Sequence, residues 1–490
     1  MTDRNSNVRV RIAPSPTGPI HAGTIHTALF NWLFARHMGG RFILRLEDTD
    51  RARSDVKWEE VIYQELRWIG LDWDEGPDVG GPYGPYRQTE RYALYQETAR
   101  RLLEQGRAYR CFCTPEELEA DRKAAESSGQ ATVYSGRCRH LSEEQIRSNL
   151  AAGKPFGIRL RTPATGGVAW DDLIRGPIEI PAQQVGDFFL VRSNGAPLYN
   201  FAVVVDDITM KITHVLRGES HISNTPAQLL LYQALEATPP RLGHLGELLG
   251  ANRRKLSKRD GNAYLGDYRE RGYLPEALIN FMALMGWAPP GDDEIIDLTT
   301  MIETFRLERV TKAASFFDLT KLEWLNGHYI RSLAPEELAE RCLPFLIRAG
   351  LVADPPTADQ RARLSGLLAL VRERIKTLAE IVVTGAFAFK PEIEYDSAAV
   401  EKVLGPEARA HLQAVREALS ALPEWTHAAI EAALRGVAEA GGLSAKKAFQ
   451  PVRVATLGGT VSPPLFESLE LIGREWCLAR LQYAIEHLCG

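Results

Sequence analysis

Three short stretches of this chain carry residue types that do chemistry. The first is the loop Ala13-Pro14-Ser15-Pro16-Thr17-Gly18-Pro19-Ile20, followed by His21-Ala22-Gly23-Thr24. A Pro–Gly turn feeding a helix presents free N–H groups and the positive end of the helix dipole, which attract anions. His21 can donate to a phosphate, and Gly23 lets backbone or nucleotide approach closely. Taken alone, the stretch is equally an ordinary turn. The second is Lys255-Leu256-Ser257-Lys258-Arg259, followed by Asp260-Gly261. Attack of a carboxylate on the α-phosphate of ATP builds negative charge and expels pyrophosphate. Cations placed in advance lower that barrier where the charge develops, and lysine serves as a mobile point charge. A lone K-x-S-K-R is also common on surfaces; paired with the first loop it is far more specific. The third is Cys111-Phe112-Cys113 with Cys138-Arg139-His140. Three thiolates and an imidazole make a closed tetrahedral zinc set, with no open position for catalysis. Without a metal they are a reduced thiol cluster.

The elements that position these groups read as a βαβ unit. Val8 to Ile12 alternates apolar and polar residues and predicts a strand. Ile25, Ala28, Leu29, Trp32 and Leu33 fall at helical spacing, predicting a helix from about Thr24 to His37 that Gly39-Gly40 ends. Phe42 to Leu46 predicts a second strand with Glu47-Asp48 at its carboxyl end. Parallel sheets bind ligands at that end. Helices are expected at 55–69 and 89–104. The stretch 111–185, rich in charge, Gly and Pro, reads as an insertion. The sheet resumes at Phe188–Val191, the apolar run Phe201–Val205 suits a buried strand, and Ile212–Leu216 suits another. Thr225-Pro226 opens a helix. From about Leu274 the pattern is helical, with long amphipathic runs at 358–381 and 465–488.

Composition sets the outer limits. The 490 residues, 45% hydrophobic and 25% charged, fit a multidomain globular chain. No apolar run approaches a membrane span, and the polar opening MTDRNSN is not a secretory signal, so a cytoplasmic protein is expected. Of six cysteines, Cys342, Cys477 and Cys489 lie apart from the cluster, a pattern that suggests metal rather than disulfides. The net charge of −5 neither announces nor excludes a nucleic-acid partner, which local patches decide. Basic patches occur at Arg137–His140, at Arg159 with Arg161, and at 253–259.

At His21-Ala22-Gly23-Thr24 and Lys255–Arg259 the chain resembles the class I aminoacyl-tRNA synthetases, whose HIGH and KMSKS motifs these are in variant spelling. The first His, the Gly, the Ser and both Lys are kept; Thr24 replaces the last His. The resemblance narrows at Arg11–Gly18 (R-x-A-P-S-P-T-G), Arg45–Asp50 (R-x-E-D-T-D), Trp73–Pro77, Val204–Asp207 and His214–Glu219, which are similar to bacterial glutamyl-tRNA synthetases. That resemblance implies an α/β fold: a Rossmann-type parallel-sheet catalytic domain with a zinc-bearing insertion and an all-helical C-terminal anticodon-binding region. It implies catalytic residues His21, Lys255 and Lys258, with Gly23, Thr24 and Ser257 completing an ATP site served by Mg²⁺. It places glutamate at Arg11, Ala13, Ser15, Glu47, Tyr199 and Arg217. A guanidinium grips a carboxylate bidentately; Arg11 is the first choice and Arg217 the second, while Glu47 meets the substrate ammonium and Tyr199 gives a hydroxyl donor. On spacing alone, Arg11 and Glu47 could equally pair with each other.

The flanking Tyr134–Arg137 resembles the insertion of zinc-containing members, which implies one structural zinc at Cys111, Cys113, Cys138 and His140. Candidate tRNA contacts are Arg137, Arg139, Lys446, Lys447 and Arg453, each equally readable as a solvated face. The implied division is 1–110 and 188–255 for the two catalytic halves, 111–187 for the insertion at the tRNA acceptor end, 256–330 for the lysine loop and stem contacts, and 331–490 for anticodon binding. The implied partners are L-glutamate and tRNA(Glu), with tRNA(Gln) left open, acting on a monomer that needs tRNA bound before it activates glutamate. Two rivals stand beside this reading: a glutaminyl-tRNA synthetase, whose anticodon region is built of β-barrels, and a catalytically dead RNA-binding paralogue. The long C-terminal region argues against shorter relatives that glutamylate a modified tRNA base.

Overall fold

In the computed structural model, residues 7–50, 53–127, 134–250, 253, 254, 256 and 264–489 are described. They fall into two units, Met1–Tyr268 with Leu278–Asp318, and Arg269–Ala277 with Leu319–Gly490.

The first unit opens with the expected βαβ. β1 (Arg9–Ile12) leads through the Pro–Gly loop into α1 (Ala22–Met38) and on to β2 (Arg41–Leu44). The strands are parallel, Arg9 opposite Arg41 and Ile12 opposite Leu44. α1 is apolar on nearly every side, and Ile25, Leu29, Phe30 and Leu33 are buried, as expected of a helix enclosed by its neighbours. Gly39 ends it in the left-handed region at φ 70°. At Gly40 an added Cβ would lie 2.3 Å from the Val8 carbonyl oxygen, so the return beside β1 needs glycine.

Next come α2 (Val56–Trp68), α3 (Tyr92–Glu104), β3 (Ala108–Cys111), α4 (Pro115–Ser127), α5 (Glu143–Ala151), β4 (Gly157–Leu160), β5 (Gly167–Asp172), β6 (Gly176–Pro181) and β7 (Phe189–Val191). β3, β4 and β7 make an antiparallel sheet, and β5 and β6 a hairpin in which Asp172 faces Gly176. Then follow α6 (Tyr199–Thr209), β8 (His214–Gly218), α7 (Thr225–Ala234), β9 (Arg241–Leu245) and β10 (Leu248–Leu249). β8 and β9 pair in parallel, and the Thr213 N–H donates to the Arg9 carbonyl at 2.9 Å, bringing β8 beside β1. α8 (Leu265–Glu270) and α9 (Pro275–Leu284) each cross a division between units, and α10 (Leu298–Thr304) and β11 (Ser315–Phe316) complete the first.

One expected strand is a helix. Phe201–Val205 lies inside α6, whose residues from Phe201 to Asp207 are all buried. A short apolar run does not distinguish a buried strand from a buried helix, and burial on all sides overrides the strand preference of three consecutive valines.

The second unit holds α11 (Leu319–Ser332), α12 (Pro335–Arg348), α13 (Ala358–Val371), α14 (Glu380–Gly385), α15 (Ser397–Val403), α16 (Pro406–Ser420), α17 (His427–Ala440), α18 (Ala445–Leu457) and α19 (Leu465–His487). Leu367, Leu412, Leu469 and Leu481 are in its core. Two long runs are interrupted. After Val371 the helix stops because the Lys376 carbonyl accepts from Asn326 and the Leu378 N–H donates to Gly272, so those backbone groups are spent on tertiary partners. Within α19, Gly473 (φ 83°, ψ 164°) bends the run. Among the described residues no helix is long and apolar enough to cross a membrane.

Candidate active site

The carboxyl ends of β1, β2, β8 and β9 converge on a cavity of about 470 Å³. Its walls include Arg11, Ala13, Ser15, His21, Gly23, Thr24, Glu47, Tyr199 and Arg217, so every described residue expected to meet ATP or the amino acid lies on one cavity. Lys255, Ser257 and Lys258 lie outside the described residues; Leu256, between them, is buried and lines the wall.

On the phosphate side, His21 is the N-cap of α1, its Nδ1 accepting the Gly23 N–H at 3.0 Å. A Cβ on Gly23 would stand 3.3 Å from that nitrogen. The cap therefore holds the imidazole at the positive end of the helix, beside Thr24 and Thr27.

Behind the amino-acid side lies a buried ionic network. Arg45, fully buried, donates to Asp207 at 2.6 Å and Glu47 at 3.2 Å, with Asp206 at 3.7 Å. Arg11 reaches Asp207 at 3.2 Å, and Arg91 reaches Asp206 at 2.7 Å. Tyr95 and Gln88 also donate to Asp206. Glu47 and Arg11 thus do not pair with each other; each is held through Arg45 and Asp207. Three guanidiniums face three carboxylates, which leaves the network formally neutral. Burial raises the pKa of Glu47 against the pull of Arg45 and Arg11. Burial would also raise Asp207, but Arg11 and Arg45 outweigh it and hold Asp207 below the usual carboxylate range. Tyr199 shares its hydroxyl with His221 Nδ1 at 3.1 Å.

Arg217, at the end of β8, has another setting. Its Nε meets His244 Nε2 at 3.1 Å, its Nη1 donates to Gln228 Oε1 at 2.8 Å, and its Nη2 to Thr225 Oγ1 at 2.8 Å. None of these partners is charged as an acid, and the side chain is 5% exposed. Burial lowers its pKa. Each terminal nitrogen keeps an N–H for a ligand. Arg45, Asp206, Asp207, Thr225, Gln228 and His244 were not singled out by sequence as site residues. The D-D pair and R-x-E-D-T-D stood in recognised motifs, but only the fold connects them.

Residues 7–324 match the family of class I tRNA synthetases for E and Q, catalytic domain, and residues 337–485 match an anticodon binding domain. The chain belongs to the class I glutamyl- and glutaminyl-tRNA synthetase family. It is 54% identical to the glutamate–tRNA ligase of Symbiobacterium thermophilum over 97% of this chain and 99% of the relative. It is 46% identical to that of Moorella thermoacetica, covering 98% of each. A crystal structure of a glutamate tRNA ligase from Elizabethkingia meningosepticum, in complex with its amino acid, superposes with a TM-score of 0.86 at 36% identity, covering 98% of this chain and 100% of the other. The helical second unit fits that family's anticodon domain.

In this synthetase-family chain the cysteine cluster forms, with one change. The Cys111, Cys113 and Cys138 sulfurs lie within 4.8 Å of one another. His140 is exposed and is not part of that group. The Tyr134 hydroxyl stands there instead, 3.5 Å from Cys111 Sγ and 3.4 Å from Cys113 Sγ. Arg159 is sandwiched between the Tyr134 and Phe189 rings, at 3.8 and 3.6 Å from their centroids, which fixes the phenol against the thiols. Three thiolates are donors that a structural zinc takes, and they leave a fourth position to be filled.

The basic residues separate into bound and open. Arg139 pairs with Asp187 at 2.5 Å and donates to the Thr162 carbonyl. Arg137 pairs with Asp121 at 2.7 Å. Arg453 donates to the Pro463 carbonyl at 2.8 Å and to Ser462. Lys446 and Lys447 are exposed in the first turn of α18.

Proposed function

We propose that this chain is a glutamate–tRNA ligase that condenses L-glutamate with ATP and passes the glutamyl group to the 3′-terminal adenosine of tRNA(Glu). The observation that carries the substrate choice is Arg217: a buried guanidinium in a neutral cradle, opening on a cavity whose other ion pairs are already balanced. Such a site is completed by one more carboxylate, and glutamate brings it on its side chain. Arg217 therefore takes first place for that group, and Arg11, already engaged by Asp207, supports it. Glu47 receives the α-ammonium, with Ala13, Ser15 and Tyr199 shaping the rest.

The α-carboxylate oxygen attacks the α-phosphorus of ATP. The bond to the bridging oxygen breaks and pyrophosphate leaves, giving glutamyl-adenylate. A ribose hydroxyl of the terminal adenosine then attacks the mixed anhydride, and AMP leaves. No protein nucleophile is required. His21, Gly23 and Thr24 hold the phosphates at the α1 terminus, and Lys255, Ser257 and Lys258 meet the developing charge. Mg²⁺ enters with ATP as part of that substrate. Cys111, Cys113 and Cys138 would hold a structural zinc, with the adjacent Tyr134 oxygen as the candidate fourth donor in place of the exposed His140, and would so stiffen the 111–187 insertion for the acceptor end. Residues 256–330 carry the lysine loop, and 331–490 bind the anticodon.

Charging of tRNA(Glu) and tRNA(Gln) transcripts with labelled glutamate, against glutamine as control, tests the assignment. Glutamate on tRNA(Glu) is expected, and glutamate on both transcripts would identify a non-discriminating enzyme. Glutamine on tRNA(Gln), or no charging, overturns it.

A further inference from the structure

We propose that Asp172 and His244 form a buried positioning relay that fixes the aim of Arg217 and so sets the affinity of the site for its amino-acid substrate's side-chain carboxylate. The inference rests on the assignment of Arg217 to that carboxylate.

The proton positions follow from the donors. An arginine Nε can only donate, and its partner here is His244 Nε2 at 3.1 Å. That nitrogen must present a lone pair, so the imidazole carries its proton on Nδ1. Nδ1 faces Asp172 Oδ2 at 2.5 Å, and both side chains are fully buried. Asp172 is locked in turn: its Oδ1 accepts the N–H groups of Ile174, Arg175 and His244, each at 3.1 Å. Burial keeps His244 below its ordinary pKa, with the Asp172 hydrogen bond only partly offsetting it. Burial would raise Asp172, but its bonds to His244 outweigh this and hold it at about 2. The pair is a carboxylate and a neutral imidazole.

This arrangement does something a direct ion pair does not. A carboxylate at the His244 position would neutralise Arg217 and compete with the substrate. A neutral imidazole holds the guanidinium without taking its charge, and Asp172, one residue removed, enforces the tautomer that makes this possible. Asp172 comes from the end of β5, so the hairpin in the insertion braces the amino-acid side of the cavity.

Asp172→Asn separates this from simple packing. The amide oxygen can keep the Oδ1 contacts to the backbone. The amide N–H then points at Nδ1, forces the proton to Nε2, and sets it against the Arg217 Nε–H. Shape is preserved while the relay is inverted, the same logic by which an Asp→Asn change disables a serine-protease histidine; the weaker bond that Trp170 Nε1–H donates to Oδ2 at 3.3 Å is lost with it, a loss His244→Phe does not share. His244→Phe fills the space without an acceptor, whereas His244→Gln can place an amide oxygen near Nε2.

The test uses the full chain with tRNA(Glu) transcript, measuring KM for glutamate, KM for ATP, kcat and melting temperature. Asp172→Asn and His244→Phe should raise the glutamate KM roughly tenfold or more, with the ATP KM unchanged, as expected for a lost hydrogen bond to a charged group. His244→Gln should recover most of that loss. An unchanged glutamate KM in Asp172→Asn, an equal rise in both KM values, or no rescue by glutamine would overturn the relay. Arg217→Ala is measured in parallel. If it leaves the glutamate KM unchanged, the carboxylate assignment fails and the relay with it. If it impairs glutamate while Asp172→Asn does not, the relay alone fails.

Discussion

Replacing Arg45 by methionine tests whether the buried network is an electrostatic unit or merely a set of neighbours. Arg45 is fully buried and stands between Asp207 at 2.6 Å, Glu47 at 3.2 Å and Asp206 at 3.7 Å. Arg11 and Arg91 are the other cations, so the variant leaves two guanidiniums facing three carboxylates. Methionine fills the apolar part of the volume but supplies no donors. Breaking a buried pair from one side costs about 3–5 kcal/mol, since a buried charge is left uncompensated. For a unit of this size that is a fall on the order of 10 °C in melting temperature. The cost depends on pH, with a definite sign. Asp206 and Glu47 already have pKa values raised by burial, and losing Arg45 raises them further. A carboxyl whose folded pKa lies above its unfolded one destabilises the fold fully above the folded pKa. That penalty disappears as pH falls toward the ordinary carboxylate range. The deficit should therefore be largest near pH 8 and shrink as pH falls toward about 5. Melting of wild type and variant, compared at each pH and one scan rate, measures it. A deficit below about 1 kcal/mol, or one that does not change with pH, would refute the reasoning.

Other outcomes follow from single sites. Elemental analysis should find about one zinc per chain, lost in Cys138→Ser; metal retained in His140→Ala but weakened in Tyr134→Phe would place the fourth donor on the phenol, and the reverse result would restore His140. Lys258→Ala should reduce the rate of glutamate activation far more than it weakens glutamate binding, measured by pyrophosphate exchange with tRNA present; equal losses would make it a positioning residue. Arg453→Ala should lower the melting temperature, through its lost bonds to Pro463 and Ser462, while leaving the salt dependence of tRNA binding unchanged; a slope reduced by about one would show a phosphate contact instead.

Local pattern was enough for the first βαβ unit. Strand alternation, helical spacing and the Gly39-Gly40 stop are short-range signals, and β1, α1 and β2 follow them closely. Phe201–Val205 was not legible in the same way. Its preference as a strand is local, but its burial on every side is a property of the assembled unit. The break after Val371 belongs to the same class, since a continuous apolar stripe does not reveal that Asn326 and Gly272 will take the backbone groups that follow.

The site divides along the same line. Residue types at motif positions placed Arg11, Glu47, Tyr199 and Arg217 around one cavity, but they did not say which cation was free for a ligand. That depends on partners far away in sequence: Asp207 for Arg11, and Gln228, Thr225 and His244 for Arg217. A charged side chain becomes a binding group only to the extent that its own fold leaves it uncompensated. Arg139 and Arg453 show the converse. Both lie in basic stretches suited to phosphate, yet one is bound by Asp187 and the other by the Pro463 carbonyl. Lys446 and Lys447, by contrast, are exposed in the first turn of α18, where helix dipole and positive charge act together.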